Sequence, residues 1–251
     1  MVARHLADLT YEEIAELVSA GPAVAIVPVG SVEPHGPHLP LHTDTTISET
    51  CAVRAVEQLE TRGVCAVVAP TVPYGVTEYA RGFSGAIGVP AAALTAMLRA
   101  IAERLLECGF AHVTFVNNHL EPAHDAAVRA AIEGLAEGAA SVACPLTRRW
   151  GRTLSDEFKR GDCHAGRYET SLVLAAGKPV RAIAELPKVG LSLSEAIKAG
   201  KATFAEIGMD RAYTGAPSEA TREEGDELYA RLVTMVVTEV VEGLEKRRSP
   251  S

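Results

Sequence analysis

Five side chains that could bind a metal, Glu33, His35, His38, His42 and Asp44, fall within GSVEPHGPHLPLHTD at residues 30–44. Carboxylates and imidazoles are ligands that zinc, manganese and iron accept. Two further segments carry related chemistry. NNHLEPAH places His119 and Glu121 two residues apart, and DCHAGRYETS holds Cys163, His164 and Glu169. In extended chain, residues two apart point to one face. Glu33 with His35, and His119 with Glu121, can each present their side chains side by side. With Asp44 they make a donor mixture that suits two divalent ions sharing one carboxylate and one hydroxide.

Each of these residues also has an ordinary structural reading. Glu33 can cap a turn, and Asp44 can N-cap a helix starting at Thr45. Glu169 can be a buried helical glutamate held by a hydrogen bond. His38 and His42 read as loop histidines, and His5, His112 and His124 as structural or exposed. Spacing alone leaves both accounts open. Cys163 beside His164 raises a cysteine nucleophile, but adjacent residues rarely face each other as that chemistry requires.

The elements that must hold these groups follow from pattern. AVAIVPV at 23–29 is a short apolar run rich in valine, which predicts a buried strand ending just before the first segment. A helix is predicted over 11–19, with Thr10 and Glu13 as a capping box and Gly21-Pro22 as its stop. Further helices are predicted over 45–59, 90–108, 123–136, 164–176 and 218–246, with a short one at 194–199. Strands are predicted at 64–69, 112–116 and 141–144, with a fifth near 180–184. The Gly- and Pro-rich stretch 70–89 reads as a long ordered loop or hairpin, a class that is often functional. Residues 145–162 read as irregular. Alternating strands and helices predict an α/β fold: a single-domain three-layer αβα sandwich over 1–251 with a mainly parallel central sheet. Two of the three segments follow strands, where such sheets bind ligands.

Composition narrows the function. The net charge of −8 and 5% aromatic content argue against a nucleic-acid partner, which needs a basic patch or stacking surface. Five scattered cysteines without a CxxC pair read as reduced thiols. The N-terminus lacks a signal-peptide core, and no apolar run is long enough to cross a bilayer. A cytoplasmic protein with no membrane partner is expected.

The three segments, in this order and separation, resemble the creatininase (creatinine amidohydrolase) superfamily, whose patterns are roughly GSxEQHGPHLPLxTD, NGHxxN and HAGxxETS. The stretch TGAPSEAT from Thr214 resembles that family's C-terminal region. The resemblance spans most of the chain. It implies an αβα domain, two divalent metal ions per subunit (zinc foremost, manganese or iron as alternatives) and a homo-oligomer, a hexamer in the manner of the family. By position it makes Glu33, His35, Asp44, His119 and Glu121 metal ligands, with Asp44 bridging. It makes His164 the histidine that exchanges protons with substrate. Glu169 becomes a neighbour of the metal centre or a ligand.

The sequence departs from creatininase at Leu120, where an aromatic residue is expected, and at Cys163, where an acidic one is expected. Creatinine is therefore not the expected substrate. The expected activity is metal-dependent cleavage of a carbon–nitrogen bond in a small cyclic amide, by a hydroxide bridging the metals. Alternatives are a formylated pyrimidine nucleotide, a cyclic sugar ketone, a short modified peptide, or metal binding without catalysis. Arg81 and Arg167 are candidates for holding a phosphate. Leu120, Cys163, Tyr74 and Trp150 are the expected substrate contacts.

Overall fold

A computed structural model describes residues 3–248. Four strands, β1 (Ala23–Val29), β2 (Cys65–Val68), β3 (His112–Asn117) and β4 (Ala140–Ala143), form one parallel sheet in the order β2-β1-β3-β4. Every residue of β1 is buried, as a central strand covered on both faces requires. Its side chains alternate. Val24 and Ile26 join one core cluster, whereas Ala25, Val27 and Val29 join the other.

Helix α1 (Tyr11–Ser19) precedes β1, and α2 (Thr43–Thr61), α3 (Ala91–Glu107) and α4 (Pro122–Ala130) connect the successive strands. The short α5 (Arg148–Gly151) and α6 (Asp156–Arg160) interrupt the stretch expected to be irregular. They are followed by α7 (Arg167–Ala175), α8 (Leu193–Lys198), α9 (Phe204–Ile207) and α10 (Arg222–Arg248). One face of the sheet is covered by α2, α7 and α10, and the other by α1, α3 and α4. Among the described residues, no helix is long and apolar enough to cross a membrane.

Local chemistry explains the helix ends. Thr10 Oγ1 accepts from the Glu13 amide while the Glu13 carboxylate accepts from the Thr10 amide, completing the capping box. Helix α2 starts two residues before the predicted position, so Asp44 lies in its first turn and His42 takes the N-cap position. The helix predicted from His164 begins only at Arg167, because Ala165 takes φ 49° and Gly166 is extended. Helix α4 stops at Ala130, short of the predicted 136, where the chain breaks into turns before Gly134 at φ 79°. Helix α10 starts at Arg222 because Pro217–Glu219 forms a separate 3-10 turn.

The predicted fifth strand is absent. After α7 the chain crosses to the loop that follows β1, where the Arg181 amide donates to the His38 carbonyl at 2.9 Å. Ala182 then takes φ 37° and a 3-10 turn follows at Ile183–Glu185. Half-buried Val180 packs against the cluster of Leu39, Ala165, Val173, Leu186 and Tyr213 instead of reaching the sheet.

Candidate metal centre

The strand order reverses between β1 and β3. The connection from β1 leads outward to β2 on one side, and β3 and β4 extend on the other. A crevice at the C-terminal ends of β1 and β3 follows from that reversal. Glu33 and His35 come from the loop after β1, and Asp44 comes from the start of α2. His119 and Glu121 follow β3, His164 lies in the turn before α7, and Glu169 in its first turn. All seven are buried.

The close approach of β1 to α2 depends on Gly30. A Cβ there would stand 2.6 Å from the Thr45 amide nitrogen. Ser31, just beyond, donates its hydroxyl to Asp44 Oδ2 at 2.6 Å.

Both candidate imidazoles, His35 and His119, have one nitrogen tied outward and the other aimed inward. His35 Nδ1 lies 3.1 Å from the Glu33 carbonyl, and its Nε2 lies 3.1 Å from Asp44 Oδ1 and 3.6 Å from Glu169 Oε2. His119 Nε2 lies 2.6 Å from the Val76 carbonyl, and its Nδ1 lies 3.0 Å from Asp44 Oδ2 and 3.3 Å from Glu33 Oε1. A carbonyl can only accept, so each outer nitrogen carries the proton. That fixes the tautomer as in metal-bound histidines.

The donor atoms fall into compact groups. Glu33, His119 and Glu121 form one and His35, Asp44 and Glu169 another, with the atoms of each group within 4.8 Å of one another. The two oxygens of Asp44 face one imidazole each, so this carboxylate spans both groups. Glu121 is held by the amides of Glu78 and Tyr79 at 3.1 and 3.3 Å, and Glu169 by the Ala165 amide at 2.7 Å. A third group joins Glu33 and His35 to His164.

The electrostatics mark a site that favours added positive charge. Burial drives the pKa of Glu121 up to about 7 and that of Glu169 to about 8. Burial opposes charge on His35, yet Asp44, Glu169 and Glu33 raise it to about 10. The protons compensate a buried cluster of carboxylates that also leaves Glu33 Oε2 without a hydrogen-bond partner. Divalent cations would replace those protons and occupy that orphaned oxygen. Hard carboxylate oxygens combined with imidazole nitrogens fit zinc, manganese or iron.

His164 sits differently. Its Nε2 lies 3.1 Å from the Pro34 carbonyl and so carries the proton, while Nδ1 faces the centre at 3.9 Å from Glu33 Oε1. Its ring packs between His35 and Phe204, with centroids 4.5 and 4.6 Å away. Burial and the charge on His35 lower its pKa to about 4.

Leu120 and Cys163 line the cup over these groups, joined by Tyr79, Leu193, Ile197 and Phe204. Burial raises the Cys163 thiol well above its ordinary value, so it is not poised as a thiolate. Tyr74 stands 46% exposed on the loop and does not line the cup. Trp150 is not brought to the cup either. Its indole N–H donates to Glu239 on α10 at 2.7 Å, and Arg149 stacks on its ring.

His38 bonds Thr170 at 3.0 Å, and His42 is exposed. Arg81 pairs with Glu78, and Arg167 is taken by Glu224 and Glu219, which leaves neither arginine free for a phosphate. Ser31 and Phe204 were not singled out from sequence. Ser31 is an ordinary serine in a motif dominated by stronger donors, and Phe204 lies in a weakly patterned stretch far in sequence from the rings it meets in space, His164, Phe83 and Tyr79, with no local signal to mark it.

The sequence model of the creatininase family, described as creatinine amidohydrolase, matches residues 7–240. A mycofactocin precursor peptide peptidase of Mycolicibacterium smegmatis is 33% identical over 219 residues, covering 84% of this chain and 81% of that protein. A creatinine amidohydrolase of Pseudomonas putida is 28% identical over 119 residues, covering 45% of this chain and 44% of that protein. A solved structure of manganese creatininase superposes with a TM-score of 0.72 at 21% identity, covering 96% of this chain and 99% of that one. At that identity the superposition speaks for the fold.

Proposed function

This chain belongs to the creatininase family, and from that premise we propose that it is a dinuclear metal-dependent amidohydrolase that cleaves a carbon–nitrogen bond. One observation carries the reading: Asp44 presents one oxygen to each of two imidazoles whose outer nitrogens are fixed by backbone carbonyls. Glu33, His119 and Glu121 would hold one ion and His35 and Glu169 the other, with Asp44 between them. Bound there, divalent ions supply an activated water at neutral pH and polarise an amide carbonyl.

The chain's own residues supply the rest. His164, neutral at pH 7, accepts a proton at Nδ1 and returns it to the leaving nitrogen. The Pro34 carbonyl holds the ring in the tautomer that leaves Nδ1 free. Leu120, Phe204 and Ile197 exclude water from the reacting amide.

Two substrate readings follow. A short modified peptide is favoured, because the relative at 33% identity over most of both chains is a peptidase on a precursor peptide. The compact cyclic amide is the second reading, suggested by the tight cup. A homo-oligomer, a hexamer by the family's example, belongs to the same proposal.

The test is hydrolysis by zinc- or manganese-loaded protein across cyclic amides, lactams and short peptides, with and without chelator. New amines should appear from peptides, vanish with chelator and return with added metal. Turnover of cyclic amides alone would reverse the substrate preference. Silence across the panel with metal bound would leave a non-catalytic metal-binding protein.

A further inference from the structure

The wall of the metal cup formed by Leu120, Cys163, Leu193 and Ile197 also lines a second cavity on its outer side. The cup encloses about 50 Å³ and the outer groove about 490 Å³. The cup holds a few water molecules' worth of space, so it accommodates a scissile amide and little more. The remainder of a larger substrate must lie outside it, and the groove is the adjoining space.

The groove has a definite chemistry. Its apolar surface includes Leu146, which stands 42% exposed, together with half-buried Phe158 and Ile197. Four cations line it, Arg148, Arg152, Lys159 and Lys198, and no aspartate or glutamate does. Lys159 is paired with Asp156 at 3.1 Å. Arg148, Arg152 and Lys198 have no ion-pair partner among the described residues, and all three are exposed. In a chain of net charge −8, unpaired cations gathered around one apolar groove make a local field that attracts an anion.

We propose that this groove binds the distal part of the substrate, an apolar segment ending in a carboxylate, while the scissile amide occupies the cup. The assignment rests on the amidohydrolase reading. Its support is the shared wall, the lack of acidic lining and the unpaired cations. An exposed apolar patch can also mark a contact between copies of a chain, but such a contact gives no reason for the groove to border the reacting centre.

The test uses zinc-loaded full-length protein and a probe that need not be cleaved. N-acetyl-Leu-Phe and its C-terminal amide share every group except the carboxylate. Isothermal titration calorimetry should show the acid binding about tenfold more tightly than the amide, the scale of one charge-assisted hydrogen bond. The triple variant R148Q/R152Q/K198Q, altered only at exposed positions, should bind the two equally and keep its zinc. Equal affinity in the unaltered protein would overturn the proposal, and so would failure of both probes to bind. Preference retained in the triple variant would place the carboxylate on the metal and overturn it as well. A changed sedimentation coefficient with an unchanged acid-to-amide ratio would mark the groove as a contact between copies. Absence of metal-dependent hydrolysis with the acid preference intact would refute the amidohydrolase reading alone. Hydrolysis without the preference would refute the groove alone.

Discussion

The metal cup and the outer groove share a wall and are built in opposite ways. The cup takes its donors from strand ends, the loops after them and first helical turns; every donor is buried, and all but Glu33 are held by a group outside the cluster. The groove is lined by α5, α6, α8 and the turns between them, with exposed leucine and unpaired cations. Chemistry that tolerates little displacement sits on the parallel sheet. Recognition, which needs only complementary polarity, sits on short elements that can vary without disturbing the sheet.

The largest effect that tests this division is expected at the span of the cup. Asp44→Ala removes the carboxylate that faces both imidazoles and leaves Glu33, His35 and His119 in place. Metal content, read by plasma mass spectrometry after gel filtration, should fall at both positions, and hydrolysis should fall to background. A fully loaded variant would show that Asp44 does not bridge, and the two donor groups would then be independent sites.

His164→Gln should act within the cup but apart from its metals. Glutamine keeps a polar group near the Pro34 carbonyl but carries no titratable nitrogen. Turnover should drop about 10²–10⁴-fold, the usual range for a lost general acid–base, with metal content unchanged. Parallel loss of metal would make His164 a ligand, in line with its place beside Glu33 and His35.

The same division explains what could be read in advance. Strand β1 was legible to the residue, because an apolar run bounded by Gly21-Pro22 and Gly30 has few alternatives. The residues that the cup brings together could be named from sequence because three motifs keep residue type and spacing together. Helix α2 differs from expectation in its start: it begins at Thr43, not Thr45, so Asp44 lies in its first turn, where a carboxylate is as well suited as at an N-cap. The short helices α5 and α6 were read as irregular, because one turn of helix leaves no period to detect. The supposed strand near 180 failed for a related reason. A few apolar residues can pack on a loop as well as on a sheet, and only the tertiary partner, here the cluster that includes Val173 and Tyr213, decides. The groove was invisible because its residues come from segments 120–122, 145–163 and 193–198, with no shared pattern.

Trp150 gives the smallest and sharpest test, because it is among the substrate contacts expected from sequence and the fold gives it another task. It is 9% exposed, packs in the cluster that includes α10, and donates to Glu239. Trp150→Phe removes that hydrogen bond and part of the ring while keeping an aromatic side chain. The loss should be about 1 kcal/mol, seen in calorimetry as a fall in Tm of about 2–4 °C for a chain of this size. The rate of amide hydrolysis at a temperature well below Tm should stay within about twofold, since a surface-side hydrogen bond to α10 has no route to the donors of the cup except through intact packing. A loss of kcat/KM greater than tenfold with unchanged Tm would return Trp150 to the substrate path. The boundary between the two regions would then have to move, because Trp150 sits in α5 beside Arg148 and Gly151, both of which line the groove.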